Sequence, residues 1–284
     1  MYGEAASMEF AMVQRFIEEI CGIALGEEKA YLLESKLARL LVEFGASSFE
    51  ELYIKLCSTK DPYLVDSVID AVTINETFWF RDKTPWYIIE DILLPAFLAE
   101  LRDGKREKAR IWSAACSYGQ EPYSTAMCID SFLNRMGAAD ISSEAFEILA
   151  SDISKDVLRM AEAGNFDNIS VSRGLEDDYK FRYFRNEGRI WRLDEDIKRR
   201  VSFRQFNLVD RCFPYGQFDI IFCRYVLIYF SEKYKKEVMN RITDSLKPGG
   251  VLFIGSSELF EDYSRCYTME RYKNGIYYRK KECW

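Results

Sequence analysis

Residues 109–127, ARIWSAACSYGQEPYSTAM, decide the fold. A short apolar run (Ile111, Trp112) opens into the small residues Ser113, Ala114, Ala115, Cys116 and Ser117. The chain then turns at Gly119 and restarts as a helix behind Glu121 and Pro122. Strand, tight loop and helix start in that order form the place where open α/β sheets hold a nucleotide-like ligand. Small side chains let such a ligand approach the backbone, and Pro122 suits a first helical turn, where its missing N–H has no partner to lose.

Outward from this stretch the pattern alternates. Strands are expected at 109–114, 145–150, 201–206, 218–222 and 251–254, and helices at 122–136, 155–163 and 231–246. Such alternation predicts a parallel sheet with helices on both faces. Segments 265–270 and 275–279 read as an antiparallel hairpin at its edge. The charged stretch 176–200, EDDYKFRYFRNEGRIWRLDEDIKRR, places Asn186, Glu187 and Gly188 at the turn of a small inserted hairpin.

Upstream, residues 8–72 read as four short helices. Phe10, Val13, Ile17 and Ile20 recur at helical spacing, as do Leu33, Leu37, Leu40, Leu41 and Phe44, and Leu64, Val65, Val68, Ile69 and Val72. Ser48 with Glu51 makes a capping-box pattern, and Asp61 before Pro62 is a helix-start signal. Residues 73–81, TINETFWFR, fit neither period, and Thr84 with Pro85 begins a helix running to about residue 100. The expected division is a helical domain at 1–72, a linker and lead-in helix at 73–108, and a sheet domain at 109–284 with a β-subdomain inserted at about 176–203.

The 284 residues are 48% hydrophobic and 30% charged, ordinary for a globular protein with a sizeable core. No run approaches the roughly 18 apolar residues needed to span a bilayer, and MYGEAASMEF lacks a signal-peptide pattern, so a cytoplasmic location is expected. The eight cysteines include no CxxC pair and there is no histidine, so neither a metal site nor a disulfide framework is expected. Without histidine the usual general base and every Ser-His or Cys-His nucleophile are excluded. A net charge of −7 disfavours a nucleic-acid partner.

The second strand ends in Ser151 and Asp152. An acid there accepts hydrogen bonds from ribose hydroxyls in many folds of this kind, or else caps the helix that follows. The first loop lacks both GxGxxG and the Walker lysine, which disfavours pyrophosphate ligands such as NAD, FAD and ATP. S-adenosylmethionine carries no phosphate, and its ammonium suits a carboxylate such as Glu121, which could equally serve the helix dipole.

INETFWFR (74–81), WSAACSYGQEPYS (112–124), ASDIS (150–154), FNL (206–208), FCRYVLIYF (222–230) and LKPGGVLFIGSSE (246–258) occur in order along the chain. Together they resemble the CheR-type chemotaxis receptor methyltransferases, over essentially the whole chain. The resemblance implies an α/β protein with an N-terminal all-helical domain and a Rossmann-like methyltransferase domain. It implies methyl transfer from S-adenosylmethionine to glutamate side chains of chemoreceptor cytoplasmic helices, with S-adenosylhomocysteine as product. Through the N-x-T-x-x-x-R pattern it places Asn75, Thr77 and Arg81 at the cofactor and substrate site, with Arg81 near the accepting carboxylate. It further places Glu121 on the methionine amino group, Asp152 on the ribose, Asn207 and Leu208 beside the adenine, Cys223 and Arg224 along the cofactor pocket through backbone or side chain, and Tyr229 at the methyl-transfer centre. Two positions depart from the family: Tyr225 stands where asparagine is usual, and the first loop reads SYGQE instead of STGEE, so Tyr118 and Gln120 differ.

Displacement at a sulfonium by an already ionised glutamate needs no base, which reconciles catalysis with the absence of histidine. Arg81 and Tyr229 are the candidate catalytic residues, a guanidinium fork and a hydroxyl for one carboxylate. Competing roles are an interdomain salt bridge from Arg81 to Asp82 or Glu90, and core packing for Tyr229. Lys29, Lys36 and Arg39 form a basic edge that either steers toward glutamate-rich helices or is a solvated face. The compact hairpin turn points to action without a receptor-tail tether, and a monomer is the expected state. Methyl transfer to another substrate, and a non-catalytic cofactor-binding module, stay open as alternatives.

Overall fold

In a computed structural model the chain is described over residues 2–24, 30–58, 61–211, 213, 216–258 and 265–282. Four helices come first: α1 (Tyr2–Cys21), α2 (Ala30–Glu43), α3 (Phe49–Ser58) and α4 (Pro62–Val72). Their helically spaced residues Val13, Ile17, Leu37, Leu52, Leu64 and Val68 meet in one buried cluster. Lys29 and the Leu33 side chain lie outside the described residues. Asp61 accepts the Tyr63 N–H at 2.9 Å and starts α4 together with Pro62. Ser48 Oγ accepts the Glu51 N–H at 3.1 Å, while the Glu51 carboxylate reaches back to the Ser47 N–H, one residue earlier than a capping box predicts.

Residues 74–78 lie outside regular structure and lead into a turn in which Phe80, Asp82 and Lys83 have left-handed backbones, with φ of 48°, 71° and 53°. The lead-in helix is not regular as expected: α5 (Thr84–Ile88) and α6 (Leu94–Arg102) are joined by a π turn at Ile89–Leu93. Pro95 is the physical reason, since it has no N–H to give the preceding turn and widening the helix there absorbs the missing bond.

Ten strands follow. They are β1 (Ala109–Ala114), β2 (Phe146–Asp152), β3 (Asn165–Asp167), β4 (Phe184–Glu187), β5 (Ile190–Leu193), β6 (Val201–Gln205), β7 (Phe218–Cys223), β8 (Leu246–Phe253), β9 (Tyr267–Tyr272) and β10 (Gly275–Lys280). Seven of them form one sheet in the order β6-β2-β1-β7-β8-β10-β9, parallel except for the β9–β10 edge hairpin. Helices α7 (Gln120–Arg135) and α8 (Lys155–Ala163) follow β1 and β2. The strand order reverses between β1 and β7, which opens a crevice above their C-terminal ends.

The inserted hairpin forms as β4 and β5, but β3 adds a third strand, in the order β3-β5-β4. Short helices α9 (Asn168–Ser172), α10 (Asp177–Tyr183) and α11 (Glu195–Lys198) flank it. The excursion therefore begins at Asn165, and residues 201–203 belong to β6 of the main sheet. Three residues are too few for β3 to show a period. After β7 the chain continues into α12 (Glu232–Ser245).

The helical unit docks directly on the sheet. Lys155 Nζ meets Asp66 Oδ2 at 2.7 Å, Asn207 Nδ2 donates to Ile20 O at 2.6 Å, and Ile23 forms an antiparallel bridge with Phe230. Gly22, at φ +75°, permits this approach: a Cβ there would lie 2.7 Å from both Val209 Cγ1 and Phe230 Cδ1. No helix among the described residues is long and apolar enough to cross a membrane.

Trp79 anchors the connecting segment to the small sheet. It is fully buried, meets Phe166 and Phe184 edge-on at 4.8 and 5.2 Å, and donates its indole N–H to Ser170 O at 3.0 Å. Trp79→Ala is expected to cost about 3–5 kcal/mol of unfolding free energy in urea titration. A loss under about 1 kcal/mol would show that this segment is held by other contacts.

Candidate functional site

The crevice is a partly open cleft walled by the connecting segment, the loops after β1, β2, β6 and β7, and the end of α1. Asn75, Thr77, Arg81, Glu121, Asp152, Asn207, Leu208, Arg224 and Tyr229 all line it. Cys223 does not: its side chain is fully buried in an apolar cluster with Trp112 and Ala114, and burial pushes its thiol pKa well up. As the last residue of β7 it packs into the core, and the next residue, Arg224, reaches the cleft.

The loop after β1 is held in an unusual shape. Ala115 and Ser117 have left-handed backbones, at φ 61° and 50°, although neither is glycine. Such residues cost on the order of 1–3 kcal/mol each and persist only where their surroundings impose them. Here the Cys116 N–H bonds Ser151 O at 2.9 Å, the Ser117 N–H bonds Asp152 Oδ2 at 2.8 Å, and Ser117 Oγ donates to Asn75 O at 3.1 Å.

Asp152 therefore clamps two loops, since its Oδ1 also accepts the Ser154 N–H at 3.1 Å. It is 6% exposed, and burial raises its pKa against the lowering effect of those amides. The cap of α8 is Ser154, whose Oγ accepts the Val157 N–H, and each Asp152 oxygen keeps acceptor capacity beside the cleft.

Glu121 stands in the first turn of α7, accepting from Ser113 Oγ at 2.7 Å and from Arg224 Nη1 at 2.8 Å. Arg224 also pairs with Asp82 at 2.6 Å and donates to Arg81 O at 2.7 Å, with only 1% of its side chain exposed. Burial works against its charge, but Glu121 and Asp82 outweigh it and hold its pKa above the ordinary arginine value. Asn207 spends its amide on the domain junction and on the Val209 N–H, so its side chain shapes the loop that borders the cleft.

Arg81 forms neither of the salt bridges weighed for it. Asp82 takes Arg224, Glu90 takes Arg135, and among the described residues no carboxylate reaches the Arg81 guanidinium. That group lies 3.5 Å from the centre of the Tyr225 ring, and Nη1 donates to Glu76 O at 2.9 Å. Tyr229 lines the cleft half-buried, which raises its phenol pKa.

The sequence reading missed Cys21, Ile23, Val72, Ile153, Phe206 and Phe230 as cleft-lining residues. Cys21, Ile23 and Val72 offer only apolar character, shared with the core, whereas Ile153, Phe206 and Phe230 sit inside the motifs ASDIS, FNL and FCRYVLIYF. It also missed Glu258, which accepts the Tyr225, Leu227 and Gly255 N–H groups and ties the loop after β8 to the loop after β7. Tyr118 and Gln120 are not among the lining residues. Among the described residues the lining contains three carboxylates (Glu76, Glu121 and Asp152), two arginines and an apolar wall of Ile153, Phe206 and Leu208, with no lysine. It fits a ligand bearing an ammonium, hydroxyls and a flat apolar ring better than a polyphosphate.

Sheet order, switch-point crevice and paired carboxylates define a Rossmann-like methyltransferase. The family described as CheR methyltransferase, SAM binding domain, matches residues 75–276, and its all-alpha domain matches residues 8–73. Chemotaxis protein methyltransferase Cher2 of Pseudomonas putida is 40% identical over 97% of this chain and 98% of its own length. Chemotaxis protein methyltransferase 1 of Pseudomonas aeruginosa is 41% identical over 98% and 99%, and the chemotaxis protein methyltransferase of Vibrio parahaemolyticus is 40% identical over 97% and 98%. The chain belongs to the CheR methyltransferase family, and its activity is S-adenosylmethionine-dependent methylation in chemotaxis.

Cofactor binding is expected to depend on pH through Asp152. The ionised carboxylate accepts both loop amides and keeps acceptor capacity toward the cleft, so affinity is expected to fall as pH drops through a pKa that burial sets above the ordinary 3.8. In calorimetry, Asp152→Asn should weaken S-adenosylmethionine binding by about 10- to 100-fold and remove that inflection. An unchanged profile in the variant would assign the inflection elsewhere.

Proposed function

We propose that this cleft transfers methyl groups from S-adenosylmethionine to glutamate side chains of chemoreceptor cytoplasmic helices, yielding glutamate methyl esters and S-adenosylhomocysteine. The observation that carries the substrate assignment is Arg81, a cleft-lining guanidinium that no carboxylate reaches among the described residues, beside Arg224, which holds two. An acceptor glutamate supplies the carboxylate that Arg81 lacks.

The bound cofactor supplies an electrophilic methyl group on a sulfonium. Glu121 takes the amino group and Asp152 the ribose, while Asn207 and Leu208 border the adenine and Asn75 and Thr77 close the cleft from the connecting segment. Arg224 acts on the cofactor side by holding the Glu121 carboxylate in place. Arg81 and Tyr229 orient the incoming glutamate, which is ionised at neutral pH and needs no base. Alignment of this kind is worth on the order of 7–11 kcal/mol. Arg81 must hold the carboxylate loosely, because its charge disappears as the ester forms.

The helical unit at 1–72 serves as the receptor-recognition domain, with 73–108 contributing to the site and 109–284 binding cofactor. Lys36 and Arg39 are exposed beside the buried Leu37 and Leu40, a basic edge suited to glutamate-rich helices. The enzyme acts as a cytoplasmic monomer, without nucleic acid and without inserting into the membrane. The hairpin turn spans only Gly188 and Arg189, which supports action without a receptor-tail tether.

Arg81→Ala is expected to lower methylation of a receptor cytoplasmic fragment by about 100-fold or more while calorimetric cofactor affinity persists. A fragment with its acceptor glutamates replaced by glutamine should take no label. Wild-type protein that binds cofactor but methylates no receptor would favour a binding module, and label in bulk RNA would overturn the substrate class. Measurable binding of a receptor-tail pentapeptide to the β4–β5 hairpin would overturn tether-independent action.

A further inference from the structure

Tyr225 has a left-handed backbone, at φ 58°, directly after the buried Arg224. Three contacts hold it there. Its N–H donates to Glu258 Oε2 at 2.8 Å, its hydroxyl donates to Asp82 Oδ2 at 2.5 Å, and the same hydroxyl lies 2.9 Å from Ser256 Oγ. Gly255 leaves room for this arrangement, because a Cβ there would lie 2.9 Å from Tyr225 Cδ1 and 2.7 Å from Glu258 Oε2. A bulky residue in this backbone region is a genuine outlier, and here the loop after β8 holds it in place.

The ring so held carries the Arg81 guanidinium on its face, 3.5 Å from centroid to Cζ. A guanidinium stacked in this way loses side-chain freedom while its N–H donors stay in its plane, available to a carboxylate. Nη1 spends one bond on Glu76 O; among the described residues, Nη2 and Nε take no protein acceptor. The hydroxyl end of the ring reaches Asp82, Asp82 pairs with Arg224, and Arg224 pairs with Glu121. Ring and hydroxyl thus connect the arginine on the acceptor side with the carboxylate on the cofactor side.

We infer that Tyr225 is a positioning residue for methyl transfer: its ring is the shelf that aims Arg81 at the acceptor carboxylate, and its hydroxyl fixes that shelf to the Asp82–Arg224–Glu121 chain. The inference rests on the reading of Arg81 given under the proposed function. It adds that Tyr225 works through Arg81, and that removing the ring changes handling of the acceptor while leaving cofactor affinity intact.

The test uses the full chain, a receptor cytoplasmic fragment and labelled S-adenosylmethionine. Tyr225→Asn removes the ring with a residue that tolerates the left-handed backbone, and Tyr225→Phe keeps the ring but loses the hydroxyl. Tyr225→Asn should lower kcat/KM for the fragment by about 3- to 30-fold, with calorimetric cofactor affinity within about twofold of wild type. Tyr225→Phe should retain more of kcat/KM than Tyr225→Asn, as rescue by the ring requires. In an Arg81→Ala background the same Tyr225→Asn change should have no further effect, because the two residues act as one unit. Equal losses in both backgrounds, or a loss in Tyr225→Asn tracked by cofactor affinity alone, would overturn the role of Tyr225. Full activity in Arg81→Ala itself would overturn the underlying reading of Arg81, a distinct result.

Discussion

The site depends on one buried cation. Arg224, almost wholly removed from solvent, is shared between Glu121 at the start of α7 and Asp82 in the turn before α5. Without it, two carboxylates would face each other in a poorly solvated cleft, and removing one partner from a buried pair costs about 3–5 kcal/mol. With it, the helix start, the end of β7 and the connecting segment are fixed relative to one another. The charge that stabilises the arrangement also leaves Glu121 with defined lone-pair directions toward the cleft.

A second constraint is the shape of the loop after β1. Its small residues were legible as room for a ligand, but the structure adds a reason for them: Ala115 and Ser117 occupy left-handed backbones that bulky or β-branched side chains resist. Asp152 imposes that shape through the Ser117 amide while holding the Ser154 amide on its other oxygen. The same carboxylate thus builds the loop and faces the cleft, while the helix cap that was its competing reading falls to Ser154.

The parallel sheet and the four leading helices were legible in the sequence, because each carries a local signature of period, cap or motif, and nine of the ten candidate site residues line the cleft. What was not legible shares a cause. The side chain of Cys223 could be assigned to cleft or core only once the β7 backbone was placed. The π turn before Pro95 and the three-residue β3 are too short to imprint a period. Tyr225 stood out only as a departure, since its partners Arg81, Asp82, Ser256 and Glu258 converge from three separate segments.

The junction around Gly22 has a wider consequence. Cys21 and Ile23 at the end of the first helix wall the cleft that also holds Glu121 and Asp152, and Ala24 bonds the carbonyl of Tyr229. The helical unit is therefore not an appendage bolted to a self-sufficient catalyst. Cutting the chain before the connecting segment would leave a sheet whose ligand pocket lacks one side. A molecule seated in the cleft touches both and acts as mortar between them.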